Sequence, residues 1–82
     1  MLIYGAEMKT FGKDYYSPAY RNCYVNVNSI STFRVISVDC ETPAGGIEWW
    51  TLFQFHMNAG EILTVSVENF TEVNQWLIGN SI

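Results

Sequence analysis

The chain has 82 residues, 49% of them hydrophobic and 15% charged, with a net charge of −4. That length supports one domain, 1–82, with a modest core, and the hydrophobic content argues against disorder. Four Lys and Arg residues are too few to line a phosphate-binding surface, which argues against direct nucleic-acid binding and against docking on an anionic membrane.

Leu2 to Phe11 reads as a first strand, with Leu2, Tyr4, Ala6 and Met8 alternating against Ile3, Gly5, Glu7 and Lys9. Gly5 weakens that strand or marks a bulge. Gly12 to Asn22 reads as a loop, since Gly12, Asp14, Ser17-Pro18 and Asn22 are turn formers. The loop holds Tyr15, Tyr16 and Tyr20. Tyrosine combines a large rigid surface with a polar tip, so these rings are either a lid over the sheet or a protein-binding surface.

Cys23 to Asn28 alternates cleanly, with Cys23, Val25 and Val27 on one side. Asn28-Ser29-Ile30-Ser31 reads as a tight connection into a strand over Thr32 to Cys40, which is apolar on both faces. Pairing those two strands around the turn leaves Cys40 about 10 Å beyond the position facing Cys23. A disulfide requires a shorter separation, so both thiols are expected to be free. Glu41 to Gly46, with Pro43 and Gly45-Gly46, breaks the pattern.

Ile47 to Val67 reads as a β-hairpin and is the centre of the fold. Ile47, Trp49, Thr51, Phe53, Phe55 and Met57 alternate with Glu48, Trp50, Leu52, Gln54 and His56. A three-residue loop over Asn58-Ala59-Gly60, with Gly60 at positive φ, sets Phe55 opposite Leu63 and Phe53 opposite Val65. A two-residue loop would face both rings with polar residues. If the odd-numbered rings point inward, Trp50 and Leu52 form an apolar step on the outer face.

Asn69 to Gly79 reads as a helix. Asn69 serves as N-cap, Glu72 stands three residues on, Phe70, Val73, Trp76 and Leu77 form an apolar stripe, and Gly79 is placed for a left-handed C-terminal cap. A helix this short does not hold alone in water, so it docks on the hairpin. The expected fold is therefore α+β, an antiparallel β-meander of four to five strands with one C-terminal α-helix packed on one face.

A catalytic constellation is not visible. His56, the only histidine, alternates away from Phe55 and has no sequence-evident nucleophile or orienting acid. No Cys-x-x-Cys, paired His or Gly-rich phosphate loop occurs, so neither a metal nor a cofactor is expected. The N-terminus lacks a basic segment followed by an apolar core, and no apolar run approaches about 18 residues. A cytoplasmic location follows as the default.

Charge is distributed unevenly. All four basic residues precede position 35, where Glu7 and Asp14 are the only acids; from Val35 onward there are six acids and no Lys or Arg. Asp39, Glu41, Glu48, Glu61 and Glu68 make a candidate acidic surface. The leading functional expectation is a non-enzymatic protein-interaction domain. It would bind a protein partner or a second copy of itself through Tyr15, Tyr16, Tyr20, Trp50 and Leu52. In size, acidity and aromatic richness the chain resembles small phage- or mobile-element-encoded inhibitors, which implies a block on a nucleic-acid-handling or defence protein by the acidic surface. A third expectation is a small-ligand pocket lined by Trp49, Phe53 and Trp76.

Overall fold

The computed structural model describes residues 2–11, 15–16, 21–41 and 44–82, with side chains for all of these except Thr10, Phe11, Tyr15, Tyr16 and Glu41. The fold is α+β. Its strands are β1 (Leu2–Glu7), β2 (Thr10–Phe11), β3 (Tyr15–Tyr16), β4 (Arg21–Asn26), β5 (Ile30–Glu41), β6 (Ile47–Met57) and β7 (Ile62–Ser66), followed by the helix α1 (Phe70–Gly79). The five longer strands form an antiparallel sheet in the order β5-β6-β7-β1-β4. The short β2 and β3 extend it past β5, with Tyr16 pairing parallel to Cys40.

The central hairpin adopts the register its hydrophobic pattern demands. Phe53 faces Val65 and Phe55 faces Leu63. The Met57 N–H donates to the Glu61 carbonyl at 2.8 Å and the Gly60 N–H to the Met57 carbonyl at 2.9 Å, closing the three-residue loop. Gly60 sits at φ +97°, a region costly for any residue with a Cβ.

β4 and β5 do not pair, contrary to the expected hairpin of Cys23–Asn28 with Thr32–Cys40. β4 lies along β1 instead, from Leu2↔Asn26 to Glu7↔Arg21. A single turn of 3₁₀ helix, Val27–Ser29, carries the chain from one end of the five-strand order to the other. In a flat sheet with these registers, Asn26 and Ile30 would stand roughly 35 Å apart, four strand spacings across and about nine residues along. Four residues of chain reach at most about 14 Å. The sheet therefore has to coil on itself, and the core lies inside the coil. Both cysteines are free, Cys23 packing against the larger core and Cys40 lying in the smaller one.

Two cores result. The larger joins Ile3, Val25, Phe53, Phe55 and Val65 to Val73 and Leu77 of α1. Phe53 stacks on Phe70 with centroids 4.5 Å apart, so the helix docks on the odd-numbered face of β6. A register shift between Ile30 and Thr32 turns Ile30 into the same core as Phe33. The smaller core joins Met8, Cys40 and Leu52, with Ile36, Val38 and Trp50 against them. It lies on the even-numbered face of β5 and β6. Leu52 and Phe53 are consecutive and both are 0% exposed, because β6 is covered on one face by α1 and on the other by the segment after β1.

This overturns the simple assignment of sides. The odd-numbered rows face the helix only as far as Phe53. Beyond it Trp49 is 70% exposed and Ile47 54%, while Leu52 on the opposite face is sealed. The outer step of Trp50 with Leu52 does not exist. Nor does the pocket expected among Trp49, Phe53 and Trp76, since Trp49 and Phe53 lie in different environments and Phe53 is packed between Phe55 and Phe70.

The helix begins after Asn69, but Asn69 makes no side-chain cap bond. Its end also differs from expectation. Gly79 is the last helical residue, and the left-handed position falls on Ser81 at φ 57°. The Ser81 N–H donates to the Ile78 carbonyl and the Ile82 N–H to the Leu77 carbonyl, both at 3.1 Å. That is a Schellman termination, with Ile82 returning to the core that holds Leu77.

Gly5 permits one close approach. A Cβ there would stand 2.6 Å from the Ser66 carbonyl oxygen and 2.6 Å from Val65 Cγ1. β1 crosses β7 so tightly at this point that only a residue without a side chain fits.

Candidate interaction surface

β7 ends at Ser66, and the chain leaves the sheet through Val67–Asn69 to start α1. Both flanking strands run on past that point. β1 pairs with β7 only at Ala6↔Ser66 and Glu7↔Val65, leaving Leu2–Gly5 beyond the joint. β6 pairs with β7 only as far as Phe53↔Val65, leaving Ile47–Leu52 beyond it. The result is a cleft of about 580 Å³ in the sheet, walled by Leu2 and Tyr4 on one side and Trp50 on the other. Ala6 and Ser66 line it at the end of the joint, and Glu68 and Asn69 at its mouth.

Strand alternation positions these side chains. Leu2, Tyr4 and Ala6 share the outer face of β1, opposite Ile3, which enters the larger core. Tyr4 pairs with Tyr24 across the β1–β4 ladder, and their rings meet at 4.8 Å. Both rings and Leu2 are exposed. Trp50 is half-buried, its inner edge on the Met8–Leu52 core. Its indole N–H donates to a Glu48 carboxylate oxygen at 2.9 Å, which holds the ring and places an acid beside it.

Of the expected interface residues, Trp50 lines this cleft, whereas Leu52 is buried and takes no part in any surface. The backbone of Tyr15 and Tyr16 forms β3 rather than a loop, between β2 and β5 and three strands removed from β1. Their side chains, and Tyr20 entirely, lie outside the described residues. Among the acids, Glu48 and Glu68 are exposed at the cleft end of the sheet, Glu61 is exposed at the opposite end of β7, and Asp39 is half-buried. The Glu41 side chain lies outside the described set.

Leu2, Tyr4 and Tyr24 were not singled out by sequence reasoning. Alternation does set Tyr24 opposite Val25, but the pairing that brings it to Tyr4 spans nineteen intervening residues with no local signal.

Titratable groups offer little chemistry. Burial pushes the Cys23 thiol up, helped by the Glu7 charge and opposed by that of Arg21. Burial pushes Cys40 up as well, with Asp39 and Glu48 adding to it. Neither thiol is activated as a nucleophile. Glu7 is buried and held by the Arg21 guanidinium at 2.6 Å, a structural pair joining β1 to β4. His56 stands half-buried between Thr32 and Ile62 in the ladders. Among the described residues no three His, Cys, Asp or Glu side chains converge to hold a metal ion, and no helix is long and apolar enough to cross a membrane.

Fold and surface together define the class: a small α+β domain on a coiled antiparallel sheet, bearing exposed aromatic side chains. No family model matches the chain, and neither a curated protein nor a solved structure does.

Proposed function

We propose that this chain is a small non-enzymatic protein-interaction domain that binds through exposed apolar side chains, self-association included. One observation carries the reading. Beyond the helix-covered Phe53, the odd-numbered face of the β5–β6 hairpin presents Trp49, 70% exposed, beside Ile47, with exposed Val35 on the same face. A tryptophan held on a rigid strand loses little freedom on contact and contributes a large apolar surface, the profile of an interface anchor. The low charged fraction of the chain supports the same reading. A second copy is the simplest partner, because one patch meeting its own equivalent across a two-fold axis satisfies both.

Size-exclusion chromatography with light scattering over a concentration series tests this. The wild type should shift from monomer to dimer, while Trp49→Ser should remain monomeric with an unchanged melting temperature, since so exposed a ring contributes little to the core. A wild type that stays monomeric over the whole series, at low and high salt, rejects self-association through this face.

A further inference from the structure

The cleft between β1 and β6 has a property that the Trp49 face lacks: its walls are open ladders. In a strand, the N–H and C=O of one residue point to the same side, and alternate residues serve alternate neighbours. The Met8 N–H donates to the Thr64 carbonyl and Ala6 pairs with Ser66, so the even-numbered residues of β1 address β7. Tyr4 and Leu2 continue that series past the end of β7. Among the described residues no backbone bond joins either of them to the Val67–Asn69 turn or to α1. Their N–H and C=O groups face the cleft, with Trp50 across it. By the same rule the odd-numbered residues of β6 address β7, from Met57 with Glu61 to Phe53 with Val65, so Thr51 and Trp49 present their backbone groups from the opposite wall.

The dimensions suit a strand. β1 and β6 flank β7, so they stand two strand spacings apart, about 9.5 Å, which is the room one strand occupies. The Leu2–Gly5 overhang gives about 13 Å of length at strand rise. Charge selects the occupant. Glu68 lies at the mouth, the Glu48 carboxylate is fixed on the Trp50 indole, and no described residue lining the cleft is Lys or Arg.

We infer that this cleft is a strand-addition site: it takes an extended segment of a partner protein, carrying an aliphatic residue and a Lys or Arg two positions apart on one face, as Trp50 and Glu48 are on β6, which pairs with Leu2 and Tyr4 where β7 has left off. Main-chain bonds to Leu2 and Tyr4 hold the segment. Its aliphatic side chains pack between Tyr4 and the exposed edge of Trp50, and its cations meet Glu48 and Glu68. The inference deepens the interaction reading above but uses a different face of β6, so the two fail separately.

The test is a titration of ¹⁵N-labelled full chain with a capped octapeptide Ser-Val-Ser-Lys-Ser-Val-Ser-Lys, whose valines and lysines share one strand face, followed by amide shifts and by fluorescence anisotropy. Saturable shifts should centre on the Leu2 and Tyr4 amides and the Trp50 indole. Glu68→Lys, an exposed turn substitution, should weaken binding about tenfold at low salt. Trp50→Ala should weaken it about thirtyfold. Two peptides, one N-methylated on the valines and lysines and one on the serines, should each lose binding, because one set of N–H groups faces β1 and the other faces β6. Trp49→Ser should bind the peptide as the wild type does. Unshifted Leu2 and Tyr4 amides at the highest peptide concentration overturn the inference. So does undiminished binding of both N-methylated peptides. Either result with self-association intact rejects the strand-addition site alone.

Discussion

Three glycines should respond to the same substitution with different signs. Alanine at a strand glycine ordinarily stabilises by about 0.4–1 kcal/mol, because it restricts the unfolded chain. At Gly5 the added methyl would lie 2.6 Å from the Ser66 carbonyl oxygen, which is backbone and cannot rotate away. Overpacking of this kind costs about 1–3 kcal/mol. The net loss for Gly5→Ala is about 1–2 kcal/mol, a fall in melting temperature of about 4–16 °C for a domain of this size. At Gly79 nothing lies within 4 Å of the added atom and φ is not positive, so Gly79→Ala should stabilise by about 0.5–1 kcal/mol. At Gly60 space is open but φ is +97°, so Gly60→Ala should cost about 1–2 kcal/mol through the backbone alone. Urea unfolding followed by tryptophan fluorescence reads all three, provided the slope against urea is unchanged. A Gly5→Ala variant as stable as the wild type, beside a stabilised Gly79→Ala, would refute the close crossing of β1 over β7.

The two cores make separate predictions. Leu77→Ala, at a fully buried position beneath the odd-numbered face of β6, should cost about 2–5 kcal/mol in the same unfolding assay. Leu52→Ala should cost a similar amount of about 2–5 kcal/mol; a near-neutral result there would restore Leu52 to the surface. Ser81→Gly should raise stability by about 1 kcal/mol, since it relieves a left-handed residue at the Schellman position. Stability should also fall at alkaline pH. Both thiols titrate higher folded than unfolded, so their contribution is complete below the ordinary thiol range and is lost as pH rises through it toward the folded values. A Cys23→Ala/Cys40→Ala variant should show a flatter alkaline limb in melting temperature against pH.

Local pattern was enough for the hairpin and the helix. Phe53, Phe55, Leu63 and Val65 admit only one register that matches apolar to apolar, and the helical stripe of Val73 and Leu77 has one apolar surface to meet. What failed was non-local. Leu52 reads as outward because Phe53 reads as inward, and nothing in the alternation reveals that a strand can be sealed on both sides at once. The second cover comes from Met8, more than forty residues away. The partner of β4 was misread for a related reason: a short turn between two strands ordinarily implies a hairpin, yet Val27–Ser29 is a corner of the coil. The helix end was misplaced because Gly79 offered the usual signal two residues before Ser81 took the strained position. The surface was legible only in Trp50. Tyr4 and Leu2 belong to it through the early end of β7, which Ser66 does not advertise.

The joint between β1 and β7 is brief, two register pairs and the Met8–Thr64 bond, yet it links residues about sixty apart in the chain. The β5–β6–β7 meander and its helix can assemble from near neighbours, and so can the β1–β4 pair. Chain-entropy cost falls most heavily on the step that brings those two pieces together, with few hydrogen bonds to offset it. This seam is accordingly the last part of the sheet to zip and the first to part, and it sits directly beside the gap that Ser66 leaves open.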